Sequence, residues 1–262
     1  MDLSKYTIRF KLFGIPIFIL PGFWILCIVF SPFMSRQAEG DRPWIFGALG
    51  WIAALLVSFL AHELGHALAA RKFFRVHPEI TLGIGQGPSG ASVFGGLTTW
   101  RRGSEEFVAR WKRAFVSAAG PLAAVALAVA GLIAAFFCRT GFTCHLEFGF
   151  LPVVLPREWI LRAAGSSPVD LFVGYFCYGF FWINTFWSVL NMTPIYPLDG
   201  GQFMMAFAKG RTAVRYTLYA SIVFAFLVGG LFLLKGSWFA GIFFLYLGFV
   251  NYRTARALEA TY

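Results

Sequence analysis

Phe59-Leu60-Ala61-His62-Glu63-Leu64-Gly65-His66-Ala67-Leu68-Ala69-Ala70 sets three ionisable side chains in a run that is otherwise apolar or small. His62 and His66 are four residues apart, so on a helix their imidazoles share one face, one turn apart, within reach of a single metal ion. Glu63 beside them can accept a proton from an attacking water and later deliver it to a leaving amine. With 4 His and 8 Glu in 262 residues, chance yields an H-E-x-x-H in roughly 0.2% of sequences of this composition. A lone buried histidine is ordinarily a hydrogen-bonded core residue. Three ionisable groups in so apolar a stretch are too costly to bury without a functional partner.

The run belongs to a chain that is 58% hydrophobic and 13% charged, with a mean hydropathy of +0.70, leaving too little polar surface to cover a water-soluble globule. Crossing the roughly 30 Å hydrocarbon layer takes about 20 helical residues. Apolar blocks of about that length lie at about 16–34, 44–70, 111–137, 171–191, 213–234 and 237–252, the last being short. The expected fold is therefore an all-α polytopic membrane protein of about six transmembrane helices, with small β elements at the membrane surface. The first block ends in Ser31-Pro32-Phe33-Met34 without the small-residue pattern of a cleaved signal, so it reads as a retained span. No repeat, low-complexity tract or soluble appendage interrupts the chain. It reads as one membrane-embedded domain over 1–262, with a core at about 44–201 and two accessory helices over 213–252.

The net charge of +10 raises nucleic acid as a partner, and the placement of the basic residues argues against it. With both termini on one side, that side holds sixteen of the 22 Lys and Arg, and the other keeps six: Arg36, Arg42, Arg139, Arg157, Arg162 and Lys235. By the positive-inside rule both termini and the 71–113 and 192–212 loops are cytoplasmic. The charge is thus a topology signal of an integral, multi-pass protein of the cell membrane, whose surroundings are the lipid bilayer and not nucleic acid.

Thr7-Ile8-Arg9-Phe10-Lys11-Leu12 alternates with the period of a strand. The 71–113 loop carries Gly83-Ile84-Gly85-Gln86-Gly87-Pro88 and Gly95-Gly96 around short apolar pieces, which predicts turns and hairpins. The four cysteines form no metal or redox motif. Cys27 and Cys177 fall inside spans, and Cys138 and Cys144 flank an outer segment where an oxidising compartment would permit a disulfide.

A catalytic zinc takes three protein ligands and leaves a position for water. His77 lies in the loop before Pro78, and His145 falls on the opposite side of the membrane. The better third ligand is Asp199, in Asn191-Met192-Thr193-Pro194-Ile195-Tyr196-Pro197-Leu198-Asp199-Gly200-Gly201. The second and fourth spans run in the same direction, so Asp199 arrives near the same face as His66. Pro194 and Pro197 forbid a regular helix, and irregular backbone at membrane depth is tolerated where it lines a cavity. Asn184 and Asn191 are seven apart on one helical face. Asn184 reads as an interhelical hydrogen-bonding group, and Asn191, nearest the site, as a substrate-binding one. Two alternatives stand beside a protease: a non-catalytic zinc-binding membrane protein, which has no need of Glu63, and a membrane zincin of another class. The latter's third ligand would be Glu147 or Glu158, both on the outer side. A di-iron oxygenase needs more histidines than the four present.

Together these motifs resemble the site-2 protease family of intramembrane metalloproteases, which pairs H-E-x-x-H on one helix with Asn-x-x-Pro…Leu-Asp-Gly on a later one. Here these are His62 to His66, and Asn191, Pro194 and Leu198-Asp199-Gly200. Ser117-Ala118-Ala119-Gly120-Pro121-Leu122 resembles the Ala-Gly-Pro stretch opening the family's intervening helix, and Gly14-Ile15-Pro16-Ile17 a segment preceding its first span. The resemblance covers most of residues 7–201. It implies one catalytic Zn2+ held by His62, His66 and Asp199, and Glu63 as general acid/base. It also implies cleavage in or near the transmembrane segment of a single-pass membrane protein or remnant signal peptide. Where many members carry Asn after the Ala-Gly-Pro, this chain has Ala123-Ala124, so that substrate contact is missing or relocated. The peptide-binding insertion and C-terminal nucleotide-sensing pair of some members are not in this sequence.

Overall fold

The computed structural model describes residues 6–29, 44–86, 92–100, 110–147, 151–162 and 167–259. It is mostly helical, with two small antiparallel or mixed β assemblies. Strand β1 (Ile8–Leu12) turns through Phe13 and Gly14, both at positive φ, into β2 (Ile15–Ile19). After the short helix α1 (Gly22–Val29) and the long α2 (Trp44–Phe74), the chain returns as β3 (Pro78–Gln86) and β4 (Ser92–Trp100). The four strands form one sheet in chain order, with β2 and β3 parallel and the outer pairs antiparallel. The strand expected at 7–12 and the hairpin expected in the glycine-rich loop are both present.

One expectation is corrected. The apolar block at 16–34 does not start as a helix, because Ile15-Pro16-Ile17-Phe18-Ile19 is a strand whose alternate residues are buried. Ile15, Ile17 and Ile19 face the core while Pro16 and Phe18 do not, and pairing with β3 begins only at Ile17, past the proline that lacks an N–H. Block hydropathy misses this, since three isoleucines on one face of a strand raise the mean as much as a helix does. Residues 30–43, the rest of that block and its loop, lie outside the described residues.

Among the described residues three helices are long and apolar enough to cross a membrane: Ile45–Phe74, Arg110–Phe137 and Gly210–Leu234. α2 has 31 residues and is about 46 Å long at 1.5 Å per residue, more than the hydrocarbon layer needs. Leu55, Phe59 and Ala67 of its inner face share one buried cluster with Ile15, Ile17, Ile80 and Leu82 of the sheet, which Trp51 extends towards Tyr178 and Trp182. α3 (Arg110–Phe137) lies against α2 and leads into an unforeseen hairpin, β5 (Phe142–Glu147) and β6 (Leu151–Pro156). Val153 and Leu155 of β6 bury against Ala128 and Phe181. Cys138 and Cys144 are exposed and not joined to each other in this structure, and Cys27 and Cys177 are buried.

A single-turn helix α4 (Arg157–Leu161) precedes α5 (Pro168–Trp182), which Ser167 caps by accepting the Asp170 N–H. Without a break α5 widens into a π-helical turn (Ile183–Trp187) and continues as α6 (Ser188–Asn191). Residues 192–198 are irregular, as Pro194 and Pro197 require, and helix resumes with α7 (Asp199–Phe207). α8 (Gly210–Leu234) and α9 (Trp238–Glu259) then fold back on one another as a hairpin. Phe232, Phe244 and Leu247 pack there around Phe186 and Ile195 of the preceding strip.

Candidate metal centre

Four elements meet at the C-terminal third of α2. His66 lies eight residues, or about 12 Å, from the helix end. The close approach of α3 is written in glycines. A Cβ on Gly65 would lie 2.8 Å from the Ala123 Cβ, and one on Gly120 would lie 2.6 Å from ring carbons of His66. With hydrogens at both positions the helices touch, and the His66 imidazole lies flat on the α3 backbone. Its Nδ1 then donates to the carbonyl of Val116 at 2.7 Å. That bond fixes the tautomer, leaving the Nε2 lone pair free to act as a ligand.

Asp199 enters from the irregular turn. Gly201, in the first turn of α7, packs so closely on the Tyr196 N–H and the Ile195 carbonyl that a side chain there would overlap them. The turn is thus folded against the helix whose first residue is Asp199. The carboxylate reaches His62 Nε2 at 3.0 Å and His66 Nε2 at 3.3 Å, and the two imidazole nitrogens are 3.2 Å apart. The two carboxylate distances are to different oxygens of the same group. His62, Glu63, His66 and Asp199 are each less than 9% exposed.

This donor set fits a tetrahedral zinc. Bonds of about 2.0–2.1 Å put neighbouring ligand atoms about 3.3–3.4 Å apart, close to all three observed separations. With its Nδ1 proton on the Val116 carbonyl, His66 faces the Asp199 carboxylate at 3.3 Å through Nε2, whose lone pair is available to a metal ion once that nitrogen carries no second proton. His62 Nδ1 is buried without a partner, so His62 also has its better-served nitrogen on the shared point. Of the described residues, His62, His66 and Asp199 make up the group able to hold a metal ion. His77, exposed in the loop, and Glu158, exposed on α4, stand apart from it, and the side chains of His145 and Glu147 lie outside the described ones.

Glu63 points to the sheet side of the same helix turn. In the register of β3 and β4, Gly96 pairs with Leu82 and Thr98 with Ile80, so all four share one face of the sheet. Where β2 and β3 present Ile and Leu to α2, β4 presents a glycine and a threonine. A Cβ on Gly96 would sit 2.7 Å from Glu63 Cγ, and the Thr98 hydroxyl donates to Glu63 Oε2 at 2.7 Å, with the Glu63 carbonyl 3.1 Å away. The hydroxyl fixes the orientation of the carboxylate beside the two histidines. Glu63, His66 and Asp199 open into a cavity of about 400 Å³ whose wall also includes Thr98, Arg113, Ser117, Tyr196 and Gln202. That volume accommodates a few residues of extended peptide together with water.

Asn184 sits in the π-helical turn and donates to Ser58 Oγ of α2 at 2.7 Å, the interhelical role expected of it. Asn191 is buried one residue before the irregular turn and is not part of the cavity wall. Thr98 was invisible to sequence reasoning, because its link to Glu63 spans 35 residues and depends on strand register. Gly120 was noted for its resemblance alone.

Residues 50–233 match the profile of "Peptidase family M50". A Synechocystis protein described as "Putative zinc metalloprotease sll0528" is 28% identical over 202 residues, covering 74% of this chain and 42% of its own length. "Putative zinc metalloprotease Rip3" of Mycobacterium tuberculosis is 27% identical over 236 residues, covering 82% of this chain and 47% of its own. The chain therefore spans under half the length of these relatives. In fold it is similar to the structure titled "Site-2 Protease from Methanocaldococcus jannaschii", with a TM-score of 0.52, 20% identity and 95% coverage of both chains. The matched segment takes in the whole of the H-E-x-x-H helix turn and Asp199, and the chain belongs to peptidase family M50.

Proposed function

We propose that this protein is an intramembrane zinc metallopeptidase that hydrolyses peptide bonds in or near the transmembrane segment of membrane-anchored substrates. The observation that carries the reading is the buried triangle of His62, His66 and Asp199 with Glu63 beside it, all but His62 opening into one cavity. Zinc held by these three residues would supply Lewis acidity, polarising a peptide carbonyl and acidifying a water. Glu63, hydrogen-bonded to Thr98, is placed to take a proton from the attacking water on its carboxylate and return it to the amine nitrogen of the leaving segment. A structural metal site has no use for such a group, which favours an enzyme over a passive zinc protein.

A transmembrane helix hides its carbonyls in i to i−4 bonds, so the substrate must unwind before attack. β4 is the last strand of its sheet and passes directly over Glu63. An unwound segment added along it, or along β1 at the other edge, would satisfy its backbone polar groups beside the cavity. Asn191 heads the turn that carries Asp199 but is buried outside the cavity wall, so a part in holding substrate backbone requires the turn to move and expose it. The substrates are single-pass membrane proteins or remnant signal peptides. About six spans with both termini cytoplasmic place the centre near the cytoplasmic face, a topology that rests on the charge distribution.

The test is Glu63→Gln in protein reconstituted with zinc and a panel of membrane-anchored substrates. The variant keeps its zinc, since all three ligands are untouched, and cleaves none of the substrates that the wild type cleaves. Peptidase activity surviving in Glu63→Gln defeats the mechanism.

A further inference from the structure

The two C-terminal helices carry no motif, yet they hold the backbone on which the third ligand depends. Tyr196 lies three residues before Asp199 in an irregular turn; its side chain is exposed on the cavity wall, but its backbone N–H and carbonyl each meet a fully buried side chain. Its N–H donates to Ser221 Oγ of α8 at 3.1 Å, and its carbonyl accepts from Asn251 Nδ2 of α9 at 2.5 Å. Both side chains are fully buried, at 0% and 1% exposure. Each is also tied to its own helix. The Ser221 hydroxyl donates to the Thr217 carbonyl at 2.9 Å, which turns its lone pairs towards Tyr196, and the Asn251 amide also donates to the Leu247 carbonyl at 2.8 Å.

The Tyr196 peptide is in turn packed on Gly201 with no space between them, and Gly201 is two residues along α7 from Asp199. A shift at Tyr196 is therefore passed to the first turn of α7 and to the carboxylate. Asn251 lies beyond residue 233, where the family match ends.

We propose that Ser221 and Asn251 are positioning residues of the metal centre, gripping the Tyr196 peptide from both sides so that Asp199 stays on His62 and His66. The inference rests on the zinc reading above. It assigns to the α8–α9 hairpin a part in metal affinity, not in the chemistry of cleavage. Ser221→Ala removes the acceptor, and Asn251→Leu keeps the volume and removes the donor. Partners one step outside the ligands are worth about 10–100-fold in metal affinity, and these act one link further out, so about tenfold is expected.

The experiment is a zinc titration against a competing chelator on the full chain in detergent or nanodiscs, paired with thermal unfolding with and without zinc. Thr254→Val is the control, because among the described residues Thr254 bonds only the Val250 carbonyl of its own helix. Ser221→Ala and Asn251→Leu are expected to weaken zinc binding about tenfold and to shrink the zinc-induced rise in Tm. The metal-free Tm should stay with the control, and Ser221→Thr, which keeps the hydroxyl, should restore wild-type affinity. Should Asn251→Leu fail to fold, Ser221→Ala against Ser221→Thr decides alone. Zinc affinity within twofold of wild type overturns the proposal. So does a metal-free Tm that falls while the zinc-induced rise is unchanged, the mark of a purely structural contact. A wild-type chain that takes up no zinc overturns the metal site itself, and this inference with it.

Discussion

Replacing Gly120 with alanine tests whether the metal centre depends on the α2–α3 contact. The added Cβ would stand 2.6 Å from His66 Cδ2 and Cε1, and nearer still to Nε2. Carbon atoms rest at about 3.5–4.0 Å, so the ring must retreat by about 1 Å. Its bond to Val116, now 2.7 Å, then stretches past the roughly 3.5 Å at which a hydrogen bond is lost. Metal–ligand distances tolerate only about 0.2 Å, so His66 gives up both the partner that orients it and its place in the triangle. Losing an orienting partner alone costs about 10–100-fold in metal affinity, and the ligand displacement adds to it, so zinc binding should weaken by about 100-fold or more, on the order of 2.7 kcal/mol. The metal-free fold suffers less, since overpacking of about 1–3 kcal/mol is offset by about 1 kcal/mol of helix propensity. Zinc competition titrations separate the two effects. A Gly120→Ala protein that binds zinc within threefold of wild type refutes the geometry argued for His66.

Two further predictions concern the polar contacts of the α2 helix. Thr98→Val removes the hydroxyl that orients Glu63; a hydrogen bond to a charged group is worth about 1.5–3 kcal/mol, so kcat should fall at least about tenfold with KM and zinc content unchanged, and Thr98→Ser should recover it. An unchanged kcat in Thr98→Val would remove Thr98 from the site. Asn184→Leu breaks the link to Ser58 and should cost no more than about 1.7 kcal/mol, the upper end for interhelical hydrogen bonds in membranes, while zinc affinity stays at the wild-type value; a tenfold loss of zinc affinity would show that Asn184 acts on the metal centre.

Much of the site is readable in the sequence because its logic is local. His62 and His66 share a face by helix periodicity alone, and Glu63 is their neighbour wherever the helix goes. Pro194 and Pro197 break the chain before Asp199 by covalent geometry. Composition alone demands a bilayer. The strand at 15–19 escaped because an alternating run of isoleucines is as apolar on average as a helix, and only pairing with β1 and β3 distinguishes the two. Ser221 and Asn251 in the last two helices are further signals in the sequence, since polar groups buried between apolar helices have partners.

What the sequence by itself determined is the membrane class and the candidate residues: His62, His66 and Glu63 through helix period, and Asp199 through charge topology and the motif around it. Only the tertiary structure decided the rest. It brought Asp199 across 137 residues to His62, laid Thr98 and Gly96 on Glu63 through strand register, and gave His66 its tautomer through a carbonyl that Gly120 leaves within reach. It also joined Tyr196 to Ser221 and Asn251. Each of these is a contact between segments remote in sequence, fixed by close packing and by the need of every buried polar group for a partner, and neither demand is written in any one stretch of the chain.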